Sequence, residues 1–443
     1  MRTDKVTTSG LMRRRSAWRA VAFLVVAAAA ATLAWFLRRP SVDGLLRTSR
    51  AALNRGATAE AQRLAHRALL RSPHSARALL AAGEIELALD QPEVALSYFA
   101  RVGNDGSVAA ITAAAAAGNI LLDLRRLSEA ESYYRRIVAF DPENLPAHRR
   151  LAQVLNLAGR REAASHYLEL VRHKEFNTHE LALLGNPDDY FDNPDVIAIF
   201  EAPSSGDRLL ALGSAHYALH RRETIKAARQ FRKLAMEDPQ DVDALAGWGA
   251  ALAEIGTPDE FYNWHARLPT EADAHPMIWA SRARWAQKND ERDVAIRCYW
   301  ETIRRDANHW HSNYQLGLLL NARGDRRVAQ VFDGRSQRLK VLLDTLYMLH
   351  VEPQRLDSML EAASQCESLG RLWEAWGWYR SAASQRPELQ KPKREAMRLR
   401  ELLDADAPQT LLVANPAMRF DLSQFPLPNW PNPSGAARRG QSD

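Results

Sequence analysis

Cysteine is nearly missing: the 443 residues hold two, Cys298 and Cys366. Both fall inside the helical units described below, in different units, so a structural disulfide is not expected. No Cys-x-x-Cys pair is present, and with it goes any zinc knuckle. Glycine-rich phosphate loops are also lacking. Gly247-Trp248-Gly249 reads instead as a packing point in mid-helix. His179-Glu180 has no second histidine to complete a zinc-protease motif. His309 and His311 flank Trp310; two residues apart on a helix, they face different ways and read as helix-start residues. Sustained positive charge is lacking too. Residues 1–50 carry ten Lys/Arg against two Asp/Glu, so of the net +6 the remainder of the chain holds −2. A nucleic-acid-binding face needs a broader basic excess, and no nucleic-acid partner is expected.

What is present is a beat. Ala61, Ala95, Ala130 and Ala164 follow one another at about 34 residues; Ala227, Phe261, Ala295 and Ala329 resume it, and Ala375 ends it. Twelve residues before each marker stands a small residue, such as Gly83, Gly118, Gly249 and Gly317. Five before it is often a turn residue: Gly56, Asp90, Gly159, Gly256, Asp290, Gly324 or Gly370. Four after it is often an aromatic, among them Phe99, Tyr134, Phe231, Tyr299 and Tyr379. Twelve after it, proline recurs at Pro73, Pro142, Pro239 and Pro387. Each unit therefore reads as helix, tight turn, helix, proline stop. Helices cross closely where side chains are small, and proline has no N–H with which to continue a helix.

These coupled positions resemble the tetratricopeptide repeat family over about Val42 to Pro387. The first-helix tyrosine of that pattern is replaced here, by Glu86, Leu121 and Cys366 among others. The resemblance implies an all-α, right-handed solenoid of about nine helix-turn-helix repeats, used as a protein-binding scaffold. It also implies that certain first-helix positions line a concave groove. Carried over, these are Asn119, Arg149, Gln153, Arg284, Gln287, Lys288, His311, Tyr314 and Asn321. Asn119 falls where some members clamp a peptide carboxylate, but Ala115 stands where the partner lysine would be.

The front of the chain is different. A basic segment, residues 1–19, precedes an uncharged run over residues 20–37, with Trp18 and Trp35 near its ends. Eighteen residues of helix reach about 27 Å, near the ~30 Å of a bilayer core. A transmembrane helix or signal anchor is expected, with a cleaved signal peptide as the alternative. The denser arginine cluster is N-terminal, so the repeats are expected on the exported side.

The rest divides by composition. A first repeat block spans 42–171, an irregular break 172–207, a second block 208–387, a capping helix 388–406 and a Pro-rich apolar tail 407–443. The break holds Asp188, Asp189, Asp192 and Asp195, whose spacing suits helix N-capping better than a calcium loop. Between Ala329 and Ala375 the step lengthens, and Leu339, Leu342, Leu343 and Leu346 predict one long helix there. The tail keeps Phe420, Leu422, Phe425, Leu427 and Trp430, so it either lies back on the solenoid or docks on a partner. Trp373, Trp376 and Trp378, at helical spacing, read as packing rather than as a sugar platform.

No segment outside the repeats is long enough for an ordinary catalytic domain of ~100–150 residues. The chain is read as a non-enzymatic, membrane-tethered scaffold without metal or cofactor. An anchored assembly factor for an exported polymer or for cytochrome maturation is the alternative; a carbohydrate-active enzyme ranks below both.

Overall fold

In a computed structural model, residues 40–187, 193–201, 206–406 and 415–431 are described. The basic segment, the apolar run at 20–37, and Asp188, Asp189 and Asp192 lie outside them. Among the described residues all regular structure is helical, and no helix is long and apolar enough to cross a membrane.

The first compact unit ends at Ile120. It contains α1 (Val42–Asn54), α2 (Thr58–Arg71), α3 (Ala76–Ala88), α4 (Pro92–Phe99) and most of α5 (Val108–Asp123). Its hairpins close through the small positions. Ser49 is fully buried and its hydroxyl donates to the Ala61 carbonyl at 2.8 Å. A methyl group on Gly83 would overlap the Phe99 ring.

The second unit begins at Leu121. After the last turn of α5 come α6 (Leu127–Phe140), α7 (Leu145–Leu157), α8 (Ala163–Arg172), α9 (Thr178–Gly185) and α10 (Pro194–Glu201). Then follow α11 (Arg208–His220), α12 (Thr224–Glu237), α13 (Val242–Ile255), α14 (Pro258–His265), a 3-10 turn (Thr270–Ala274), α15 (Pro276–Lys288) and α16 (Arg292–Arg305). The series ends with α17 (Trp310–Arg323), α18 (Arg326–Val351), α19 (Leu356–Ser368), α20 (Leu372–Gln385) and α21 (Gln390–Asp406). First helices of pairs are often capped by side chains, as by Asn144, Asp207, Asp241 and His309. Second helices end just ahead of a proline, as α12 does before Pro239.

The turn position of the beat has a backbone cause. Between paired helices one residue takes a left-handed conformation: Gly56, Asp90, Arg125, Gly159, Arg222, Asp290, Gly324 and Gly370. Arg125 and Arg222, five residues before Ala130 and Ala227, occupy this position without being glycine. Gly256 departs from it, with φ −68°, and α14 after it has only 8 residues.

One marker shifts. Ala163 is buried and Ala164 is not, with Tyr167 rather than Leu168 as the buried residue four on. Arg161 and Glu162 remain in the turn, so α8 starts one residue out of phase.

The two largest interruptions explain each other. Helix α9, inside the expected break, packs on α18 and α20. Helix α18 is 26 residues long, and its buried Leu339, Leu342 and Leu346 share one core with Leu181 and Ala182 of α9. Lys174 and Arg172, just before α9, accept hydrogen bonds through their carbonyls from Arg380 (3.0 Å) and Arg400 (3.4 Å). Within unit two the stack therefore closes: its early helices meet its last ones.

The described part of the tail, residues 415–431, lies back on the chain. Residues 416–418 form a 3-10 turn and the rest to Pro431 runs without regular structure along α16. Leu422 and Phe425 are buried beside Trp300 and Phe332. Trp430 packs against Phe261 and Tyr262, and its Nε1 donates to Glu291 at 2.8 Å. For residues 415–431 the choice left open by composition resolves to packing in cis.

Candidate binding surfaces

The predicted groove residues separate into distinct settings. Asn119 is exposed and belongs to unit one. Arg149 of α7 is engaged by the chain itself. Its Nε lies 2.6 Å from Glu180 Oε1, and its Nη2 donates to the Glu175 carbonyl. Glu180 is held in place by a reciprocal capping box with Asn177 at the start of α9. Gln153, half-buried, accepts from Arg150 at 3.2 Å and faces Asn177 and Glu180 across a cavity of about 340 Å³. Helix α9 thus covers this part of the expected groove. The alanine beat did not reveal it, because α9 lies past Ala164, the last marker of the first block.

Helices α15 and α17 bring a second group together. Tyr299 of α16 donates to Gln287 Oε1 at 2.6 Å, and Gln287 Nε2 donates to Gln315 Oε1 at 2.8 Å. His311 lies edge-on to Tyr299, 6.3 Å between centroids. Tyr314 stacks on Trp310 at 5.9 Å. Lys288 Nζ donates to the Glu254 carbonyl at 2.9 Å and sits 5.4 Å from the Trp285 ring centre. Arg284, half-buried, has no ion-pair partner among the described residues. Burial first, then the Arg284 charge, pushes the His311 imidazole below its usual range. Asn321 is exposed in the last turn of α17.

A cavity of about 280 Å³ lies within unit two, walled by Asn156, Arg160, His216, Asp243, His275 and His309. Its charges are already matched. Arg160 Nε is 3.3 Å from Asp243, His275 is 3.4 Å from the same carboxyl, and neighbouring Arg161 pairs with Asp306. Among the described residues no group of three or more His, Cys, Asp or Glu side chains is placed to hold a metal.

The tryptophans of α20 are in the interior: Trp378 is fully buried, Trp376 and Trp373 nearly so. They offer no exposed stacking platform. Both cysteines are free and buried, and burial raises their thiol pKa values well above the ordinary range.

Among known proteins, comparison with curated sequences finds no match. Solved structures of similar helical stacks include the P58(IPK) TPR domain, at 14% identity and TM-score 0.26, covering 82% of this chain and 98% of that one. A tetratricopeptide repeat protein from Parabacteroides merdae ATCC 43184 is 16% identical with TM-score 0.24, covering 63% and 98%. Human IFIT1, solved as a dimer with m7Gppp-AAAA, is 13% identical with TM-score 0.30, covering 78% and 90%. The family model described as tetratricopeptide repeat matches residues 121–185, the stretch from the end of α5 through α9. The start of the second unit is therefore similar to tetratricopeptide repeats.

Proposed function

We propose that the protein is a membrane-tethered scaffold that binds peptide segments of partner proteins on the α15–α17 face, with its repeats on the exported side. Arg284 carries this reading. Among the described residues Arg284, a half-buried cation, has no carboxylate partner; it acts on His311, and Gln287 and Tyr314 stand on the same pair of helices with polar and aromatic groups a peptide could meet. Such a face suits a segment with acidic and apolar side chains. The tether rests on the arginine-flanked apolar run at residues 20–37.

Affinity crosslinking from intact membranes tests both parts. A partner recovered from wild type and lost from an Arg284→Glu, Lys288→Glu double variant is the expected result. Equal recovery from both proteins would refute the assigned face. Release of the protein by alkaline carbonate would refute the tether.

A further inference from the structure

The C-terminal strap shows what a second-helix surface of this stack can hold. Arg297 of α16 donates from Nη1 to the carbonyls of Ser423 and Phe425, the latter at 3.1 Å. Trp300 Nε1 donates to the carbonyls of Ala417 (3.2 Å) and Phe420 (2.9 Å). From α17, Leu316 and Leu320 join the same core, and the Arg323 guanidinium lies 4.6 Å over the Phe425 ring. The site grips main-chain carbonyls with cationic and indole donors and stacks aromatic side chains.

Two repeats earlier the same positions recur. Arg297, Trp300 and Arg304 become Arg229, Arg232 and Met236 of α12; Leu320 and Arg323 become Leu252 and Ile255 of α13. These residues line a groove of about 440 Å³ with Ile225, Trp248 and Arg267. Ile225, Met236 and Ile255 are 61%, 43% and 43% exposed, unusual for side chains sharing one concavity. Helix α14 has 8 residues where α12 and α16 have 14, and Arg267, just beyond its end, reaches the last turn of α12, its Nη1 3.6 Å from the Met236 sulfur. The other side of α14 carries Trp430 through Phe261 and Tyr262, so strap and groove share a wall.

We propose that the α12–α13 groove docks an extended segment of a partner protein containing aromatic residues, proline and a single carboxylate, chemically like the strap from Phe420 to Trp430. Charge supports the choice. Arg229, Arg232 and Arg267 line the groove with one carboxylate, Glu260, which is held in a capping box with Thr257 and offsets part of the Arg232 charge, so a positive excess remains. The strap carries Asp421, whose carboxyl is lowered by Ser423 first and by Arg297 and Arg304 after it. Carbonyls presented to Arg229 and an acidic group near Arg232 and Arg267 would repeat that arrangement.

The test uses the full-length chain, whose own strap fills the α16–α17 track, and a labelled synthetic peptide with the sequence Pro416–Pro431. Saturable binding by fluorescence anisotropy is expected. It should weaken about ten-fold or more in Arg229→Glu and in Ile255→Asp, as loss of a charged hydrogen bond or an apolar contact requires, and remain in Arg297→Ala. Both groove positions are exposed, so unchanged helix content and thermal midpoint are expected for these variants. Absence of saturable binding would overturn the proposal. So would binding indifferent to the groove variants but changed by Arg297→Ala, which would mean exchange with the strap. Self-association of the full chain that Arg229→Glu abolishes would assign the groove to a second copy and overturn the partner reading.

Discussion

His309 starts α17 with its Nδ1 accepting from the Ser312 N–H at 3.2 Å. Desolvation there pushes its imidazole down to about 4; the attraction of Asp306 opposes this and Arg161 adds to it. His265 is likewise brought to about 4 by burial first and Arg282 second, and His148, His179 and His311 are lowered. In each case the folded chain holds the neutral ring, while the unfolded chain takes up a proton near 6.5. The unfolded state therefore binds more protons in this window. The stabilisation is complete above about pH 7 and is lost as pH falls toward 4. The lowered carboxylates Asp243, Glu301 and Asp306 act only below their ordinary values of 3.8–4.5, so the two windows separate. The urea midpoint should fall between pH 7.5 and pH 5. In His309→Asn, which keeps a capping oxygen but cannot titrate, it should fall less. A flat profile in wild type would contradict this account. At the same scale, sequence legibility was uneven. The phase of the beat marks Arg125 and Arg222 as turn positions, yet residue preference hides them because neither is glycine. Gly247 and Gly249 were legible as packing points: a methyl on the first would strike Phe231, and on the second Trp264.

Elements carry the next level of information. Helices of the repeats were readable because two helices, a turn and a stop recur with coupled residues. Helix α9 and the strap were not, since their burial depends on surfaces distant in sequence. The strap's hydrophobicity signalled burial without naming the surface. Its energetic role can be measured. Leu422 and Phe425 are each 6% exposed, and each buried apolar side chain contributes about 1.5–3 kcal/mol before the entropy of ordering an extended segment is subtracted. Deleting residues 407–443 should lower the unfolding midpoint of the helical stack and increase binding of a hydrophobic dye, because Trp300 and Phe332 lose their cover. Trp300→Phe, which keeps the ring but removes the donor to Ala417 and Phe420, should produce a smaller loss. An unaltered midpoint after the deletion would show that the strap contributes no net stability.

At the scale of the whole second unit, closure distinguishes this stack from an open solenoid. In an open stack each hairpin meets only its neighbours. Here α8 and α9 meet α20, residues some 200 apart, as in the 206-residue separation of Lys174 and Arg380. Such a contact costs loop-closure entropy, which rises only slowly with length, so one apolar seam suffices to hold it. Leu181 lies at the centre of that seam: it is fully buried, and a methyl on Gly377 would come within 3.0 Å of it. Replacing it by aspartate puts an unpaired carboxylate into the seam, a cost of several kcal/mol. The hairpins themselves do not depend on the seam, because each pair is closed by its own small and aromatic positions. Leu181→Asp should therefore keep most of the helical circular dichroism while small-angle scattering shows a larger radius of gyration. Leu70→Asp, at a side chain 82% exposed in unit one, should change neither. Unchanged scattering in Leu181→Asp would mean the early and late helices are held elsewhere. Collapse of the entire helical signal would mean that the seam and the hairpins form one cooperative core, not a stack closed by a latch.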